Sequence, residues 1–290
     1  MSVLLVDNSS ELWYSELKKL NIECLERPFM VDGKIMHYDN GVDFRFDRFF
    51  SDYRKGLKVE SINQTKEDYV DKLSIYLDQN EDVLYLCDSE KVSLDRVNLL
   101  AAVEELKEKY PNNKVTIVDT ENASMGYGAI AYEVGIMHKR GATDSEIIDK
   151  VDALKRETAT FIVVDDTNSL KDKGLLKSSQ HVVGSALNVK SILAVTGYGE
   201  LEIVEKLASK KKAVLKIFDK IRQEGVNLKD YPIGIAYTGD KANAEDLKDK
   251  IIELVGEDSN VWLQPMSPVN GVKYGFGAIA VSFHVTKKRY

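Results

Sequence analysis

The sequence is poor in the residues that usually mark metal and redox sites. Its two cysteines, Cys24 and Cys87, have no metal-binding or redox spacing, and its four histidines are scattered. No apolar run approaches the roughly 18 residues that a transmembrane helix needs. The N-terminus lacks the basic region and apolar segment of a signal peptide and reads directly into a strand. We therefore expect no metal site, no membrane span and a cytoplasmic location.

The sequence also lacks a basic surplus. It has 40 Lys and Arg against 47 Asp and Glu, a net charge of −7. A nucleic-acid-binding surface needs clustered positive charge, so we expect no nucleic-acid partner. The 290 residues are 43% apolar and 30% charged, which is typical of a globular protein large enough for two domains.

Sequence patterns for catalysis are weak. Gly126-Tyr127-Gly128 and Gly275-Phe276-Gly277 each begin a run with dinucleotide-fingerprint spacing. The first follows its predicted strand at a distance, and the second leads into a strand rather than a helix, so neither has the required context. No Walker A pattern or nucleophile elbow is present. We predict no catalytic residues and no cofactor; the alternative is an α/β enzyme that binds a nucleotide or small polar ligand at these glycine-rich turns.

The clearest local pattern covers residues 82–109. An apolar run, Val83–Cys87, is followed by a polar turn and then by an amphipathic helical pattern, which predicts a βα unit of a parallel sheet. Ser93 lies where the helix N-cap is expected. Helix starts beside strand ends also bind anions, so Ser93 is either a helix cap or a ligand contact.

The order of such patterns predicts an α/β protein with two domains. Strands alternate with helices through residues 1–157, which indicates a parallel α/β domain with right-handed crossovers. A small β excursion near residues 22–58 interrupts this domain, with a hairpin turn at Asp32-Gly33-Lys34. Residues 158–290 are predicted to form a second α/β domain.

Several short motifs resemble those of the DegV family of bacterial lipid-binding proteins, and the resemblance covers residues 1–285 as one unit. The family's Asp-Ser-Ser start is similar to Asp7-Asn8-Ser9, and its Val-Asp-Ser is similar to Val118-Asp119-Thr120. The most specific match, to Leu-Asn-Ile-Lys-Pro-Ile-Leu, is Leu187-Asn188-Val189-Lys190-Ser191-Ile192-Leu193. The closing family motif is matched by Pro268-Val269 through Gly271 to Gly275-Phe276-Gly277.

This resemblance implies a fold and a function. The second domain would contain a mainly antiparallel sheet, and a long-chain fatty acid or related lipid would be buried between the two domains. In the family, a Thr and a Ser on two loops hold the carboxylate. The matching positions are Ser61 and Ser93, and Lys273 stands at the position of the family's closing His. As a cation, Lys273 could pair with the carboxylate; the alternative is an ordinary surface lysine.

The resemblance implies a binding protein rather than an enzyme, with possible presentation of the carboxylate to the ATP-binding subunit of a fatty acid kinase. Leu175 stands where the family has Arg, which weighs against that partner. The carboxylate loops also differ from the family at Ile62, Leu94 and Asp95. An acid at position 95 would weaken carboxylate binding unless it points away from the ligand.

Overall fold

The computed structural model describes residues 1–176, 189–288 and 290. Most of the helices and strands predicted from the sequence are present, within a few residues of their expected ends. His181, and Leu187 and Asn188 of the most specific family motif, lie outside the described residues.

The helices and strands are numbered here in chain order. The strands are β1 (Val3–Asp7), β2 (Glu23–Leu25), β3 (Phe29–Val31), β4 (Lys34–Met36), β5 (Val59–Ser61), β6 (Val83–Cys87), β7 (Val115–Asp119), β8 (Thr158–Val164), β9 (Lys190–Val195), β10 (Leu201–Leu207), β11 (Ile233–Tyr237), β12 (Val261–Pro265) and β13 (Ile279–His284). The helices are α1 (Tyr14–Leu20), α2 (Phe46–Arg54), α3 (Lys66–Leu77), α4 (Arg96–Lys109), α5 (Met125–Lys139), α6 (Asp144–Glu157), α7 (Asn168–Asp172), α8 (Lys210–Glu224), α9 (Lys241–Val255) and α10 (Pro268–Tyr274).

The N-terminal domain contains a parallel sheet in the order β2-β1-β6-β7, as predicted. Helices cover both of its faces. Apolar side chains of α1, α5 and α6 pack on one face, and those of α3 and α4 pack on the other. This burial explains why β6 is apolar along its whole length rather than alternating.

The C-terminal domain contains a six-stranded sheet in the order β10-β9-β8-β13-β11-β12. Its neighbouring strands are antiparallel except for the parallel pair β11 and β12. The expectation of a mainly antiparallel second sheet is therefore confirmed. Helix α6 ends at Glu157 and β8 begins at Thr158; the domain boundary at this junction stays a prediction.

Helix α5 packs against both sheets, which explains its glycines. Its side chains contribute to the core of the first sheet and, through Met125, to the core under the second. A Cβ atom at Gly126 would collide with Thr160 and Asn122, and one at Gly128 would collide with the carbonyl oxygen of Ser10. These glycines therefore allow close packing of a buried helix.

The β excursion forms a third sheet, β4-β3-β5, which is antiparallel. The predicted hairpin is present: Val31 pairs with Lys34, and Asp32 and Gly33 have φ values of 47° and 77°. Positive φ at both central residues is the geometry that a two-residue hairpin favours. Helix α2, in the same excursion, was not predicted, because its sequence is rich in aromatic residues and preceded by turn signals.

One local prediction needs correction, and one helix was missed. Ser93 is not the N-cap of α4, because that helix begins at Arg96 and Asp95 precedes it. The segment after Ser267 was not predicted to be helical, although it forms α10 with Pro268 in the first turn. Among the described residues, no helix is long and apolar enough to cross a membrane. The cytoplasmic location stays a prediction.

Candidate functional site

The carboxyl ends of β1 and β6 carry two buried acids, Asp7 and Asp88. Open parallel sheets bind ligands at this edge. The carboxylate of Asp7 accepts hydrogen bonds from the backbone N–H of Ser9 at 2.8 Å and from the hydroxyl of Tyr85 at 2.7 Å. The first family motif therefore begins with a well-held, fully buried acid.

Arg27 lies between Asp7 and a second acid, Asp95. Its guanidinium is 2.6 Å from the carboxylate of Asp95 and 3.6 Å from that of Asp7. Burial acts to lower the pKa of Arg27, but the two acids outweigh it and hold the pKa above its usual value. The amide side chain of Asn8 fixes the backbone of Arg27 by two hydrogen bonds, of 3.1 and 3.3 Å.

Ser93 and Gln64 contact the same acid. The hydroxyl of Ser93 donates to one oxygen of Asp95 at 3.1 Å, and the backbone N–H of Gln64 donates to the other oxygen at 2.9 Å. The amide of Asn98 in α4 donates to the carbonyl oxygen of Gln64. The loop after Ser61 and the loop that contains Ser93 therefore meet at the carboxylate of Asp95.

Ser61 ends β5 and is the Cα partner of Phe29 in β3. Directly opposed residues of an antiparallel pair project from the same face of the sheet. Phe29 is completely buried among aromatic side chains, so Ser61 lies on the apolar face of the small sheet. Its side chain is only partly exposed.

Lys273, in α10, forms an ion pair with Asp88 at 3.1 Å. Burial raises the pKa of Asp88, although Lys273 acts in the opposite direction. Helix α10 packs against β5, so Lys273, Ser61 and Ser93 belong to elements that meet at one edge of the N-terminal sheet. Their role as ligand contacts stays a prediction. We call Asp7, Arg27, Asp88, Asp95 and Lys273 the ion-pair cluster.

An apolar region adjoins this edge. We call the following residues the aromatic cluster: Trp13, Phe29, Tyr38, Phe44, Phe46, Phe49, Phe50, Tyr53 and Phe276. Their rings are in edge-to-face and stacked contacts with centroids 5.0–6.4 Å apart. Two clefts, of about 480 and 220 Å³, open beside Phe46 between α2 and the C-terminal domain. Ser61, Ser93 and Lys273 do not line either cleft.

A second polar group, which the sequence analysis missed, centres on Glu11. Its carboxylate accepts hydrogen bonds from the Ser124 hydroxyl at 3.0 Å, the Asn270 amide at 2.7 Å and the backbone N–H of Ser267 at 2.6 Å. Burial raises the pKa of Glu11 to about 7, although these hydrogen bonds act to lower it. We call these four residues the Glu11 cluster. No local sequence signal identifies it, since Glu11, Ser124 and the Ser267–Asn270 segment are more than 100 residues apart in the chain.

Residues that bear on nucleotide binding at the glycine-rich turns and on a kinase partner have structural roles. Gly275 and Gly277 have φ values of 86° and 84° and form the turn into β13. Leu175 is buried in the apolar core beneath the second sheet. Within residues 1–176, 189–288 and 290, no group of three or more His, Cys, Asp or Glu residues could hold a metal ion.

The chain matches a known protein family. A family model described as an uncharacterised protein of the DegV family matches residues 2–286. The chain is similar to a DegV domain-containing protein of Clostridium perfringens, with 29% identity over 283 residues that cover 97% of this chain and 96% of the relative.

Solved structures share the fold. A DegV family protein from Thermus thermophilus, reported for its fatty acid binding, has a TM-score of 0.83 at 21% identity and covers 98% of this chain and 100% of its own. A stearic acid-binding protein from Eubacterium ventriosum has a TM-score of 0.81 at 17% identity, with 99% of both chains covered. At these identities the likeness establishes the fold.

Proposed function

Because the chain belongs to the DegV family, we propose that it is a lipid-binding protein rather than an enzyme. In this proposal it buries the acyl chain of a long-chain fatty acid or related lipid between its two domains. The polar head of the lipid contacts Ser61, Ser93 and Lys273. The fatty acid binding of the structural neighbours supports this class of ligand.

The observation that carries the proposal is the pairing of Ser61 with Phe29. It brings a polar edge, suited to a lipid head, into direct contact with the aromatic cluster, which offers apolar surface for a tail. The acyl chain would enter by separating the rings next to the clefts beside Phe46. The rings of Phe44, Phe46, Phe50 and Phe276 give these clefts apolar surface, and charged side chains, among them Arg45, Asp47 and Lys241, line them as well.

The tail would supply most of the affinity. Burial of about 14 methylenes contributes about 11 kcal/mol at roughly 0.8 kcal/mol each, before the costs of immobilisation. Each hydrogen bond to a charged head contributes about 1.5–3 kcal/mol. The head-group contacts therefore orient the lipid more than they hold it.

Presentation of the lipid head to a fatty acid kinase has less support than lipid binding itself. The family's Arg is replaced by Leu175, whose side chain is in the core and cannot contact a partner. Our proposal is therefore restricted to a carrier role.

Extraction of the purified protein with organic solvent, followed by mass spectrometry, tests the proposal. We expect acyl lipids in near-stoichiometric amount and displacement of a fluorescent acyl-chain probe by added long-chain lipid. Ser61→Ala should weaken probe binding several-fold, whereas Ser169→Ala, on the exposed side of α7, should have no effect. Absence of both extractable lipid and probe binding would overturn the proposal.

A further inference from the structure

Asp95 has an unusual conformation for an acid that precedes a helix. Such a residue usually accepts hydrogen bonds from the first-turn N–H groups, but the side chain of Asp95 makes no such bond to α4. Its carboxylate instead accepts from Arg27, from the backbone N–H of Gln64 and from the hydroxyl of Ser93. Asp95 is only 2% exposed.

The donors around Asp95 include those that the proposed function assigns to the lipid head. Ser93 already holds one carboxylate of the protein, and Lys273 holds another, that of Asp88. A lipid carboxylate that bound to Ser93 and Lys273 would therefore lie beside two acids. Like charges at such distances repel strongly where water is excluded.

We propose that Asp95 determines the head-group specificity of this site and that the preferred ligand is an acyl chain with a neutral, hydroxyl-bearing head, such as a fatty alcohol or monoacylglycerol. This inference rests on the proposed function. A hydroxyl can donate a hydrogen bond to a carboxylate and accept one from Ser93 or Lys273. It can therefore bind both to the acids and to their donors without adding a negative charge.

Two cations oppose this preference: Arg27, whose guanidinium is 2.6 Å from the carboxylate of Asp95, and Lys173. Its ammonium group donates to the carbonyl oxygen of Val272 at 3.1 Å, next to Lys273. Burial, and then Lys273, lower the pKa of Lys173, and an anionic ligand would relieve the repulsion between the two lysines. Asp88 and Asp95 outweigh these cations in this proposal, because Arg27 is shared between Asp95 and Asp7, and because Asp88 and Asp95 contact the predicted head-group residues directly.

Competition between lipids of equal chain length tests the proposal. Hexadecanol, monopalmitoylglycerol and palmitic acid would each displace the same fluorescent acyl-chain probe at a pH where palmitic acid is ionised. We expect the wild-type protein to bind the two neutral lipids about tenfold or more tightly than palmitate. Asp95→Thr, which removes the negative charge but keeps a hydrogen-bonding side chain, should lower this preference by about the same factor. Asp71→Asn, a charge change on the exposed side of α3, should leave it unchanged.

The outcomes separate this inference from the proposed function. If no lipid displaces the probe and none is extracted, the proposed function fails and this inference fails with it. If palmitate binds as tightly as hexadecanol or more tightly, lipid binding stands and the specificity proposal is wrong. Should Asp95→Thr fail to fold, the wild-type preference alone decides, and Asp95→Asn provides a variant of nearly the same shape.

Discussion

The ion-pair cluster and the Glu11 cluster both bury acids at the carboxyl edge of the N-terminal sheet, but they neutralise them differently. In the ion-pair cluster, Arg27 and Lys273 contact three acids. In the Glu11 cluster, one acid contacts only neutral hydrogen-bond donors. A guanidinium between two acids keeps its charge, whereas burial without a cation raises the pKa of Glu11, although its neutral hydrogen-bond donors act to lower it.

This difference separates two functions that buried polar groups serve. The Glu11 cluster links the start of α5 to α10 and so ties the two domains together through hydrogen bonds. The ion-pair cluster fixes the loops at which a lipid head would bind. The stability that the Glu11 cluster contributes should depend on pH. The stability that the ion-pair cluster contributes should fall when one of its charges is removed.

Removal of the central cation should have the largest effect. Arg27→Met would leave Asp7 and Asp95 buried without their countercharge, and we expect it to lower the free energy of unfolding by about 3–5 kcal/mol. Denaturant titration measures this loss. Arg48→Met, which removes an arginine that is 83% exposed and 3.8 Å from Asp52, should cost less than about 0.5 kcal/mol. Equal losses in the two variants would mean that the ion-pair cluster does not depend on Arg27.

Glu11→Gln should change the pH dependence of stability. The pKa of Glu11 rises from 4.5 to about 7 on folding, so the folded state binds this proton more tightly than the unfolded chain. The contribution of Glu11 is complete below about pH 4.5 and is lost as the pH rises through about 7. Over this range the wild type should lose about 3 kcal/mol relative to Glu11→Gln.

Unfolding curves measured at several pH values between 4.5 and 8 provide the test. Glu104→Gln, on the exposed side of α4, is the matched control and should parallel the wild type. A constant difference between the wild type and Glu11→Gln across the series would show that the Glu11 cluster does not bind a proton on folding.

Loss of either of two helix capping boxes should have the smallest effect on stability, and only one of the two losses should affect lipid binding. Thr65 caps α3 and Thr143 caps α6, each by reciprocal hydrogen bonds. We expect Thr65→Ala and Thr143→Ala each to cost about 1 kcal/mol of stability. Only Thr65→Ala should also weaken lipid binding, by a few-fold, because Thr65 follows the Gln64 N–H that contacts Asp95. Equal lipid affinity in the two variants, measured by probe displacement, would show that the loop before Thr65 does not contribute to lipid binding.

Periodic patterns were sufficient to predict most of the fold. The buried strands β1 and β6 and the hairpin at Asp32 were identified from a few neighbouring residues. Each depends on local physics, such as a continuous run of apolar side chains or positive φ in a tight turn. Local sequence carries that information.

The polar contacts of the site could not be predicted in the same way. Ser93 is a residue type that is common at N-caps, but its hydroxyl donates to Asp95. Asp95 in turn accepts a hydrogen bond from Arg27, 68 residues earlier in the chain. Glu11 meets Ser267 across 256 residues. The partner of a buried acid is set by which elements the fold brings together, and a single sequence does not reveal such pairs.

The small sheet has a further consequence for energetics. The short strand β5 is hydrogen-bonded to β3, which carries Phe29, and it ends at Ser61, three residues before Gln64. If the chain binds a lipid as proposed, a shift of Phe29 that made room for a longer tail would be transmitted through a few backbone bonds to the loop proposed to contact the head. The free-energy contributions of tail and head would then be coupled, and they would not be additive across a series of ligands.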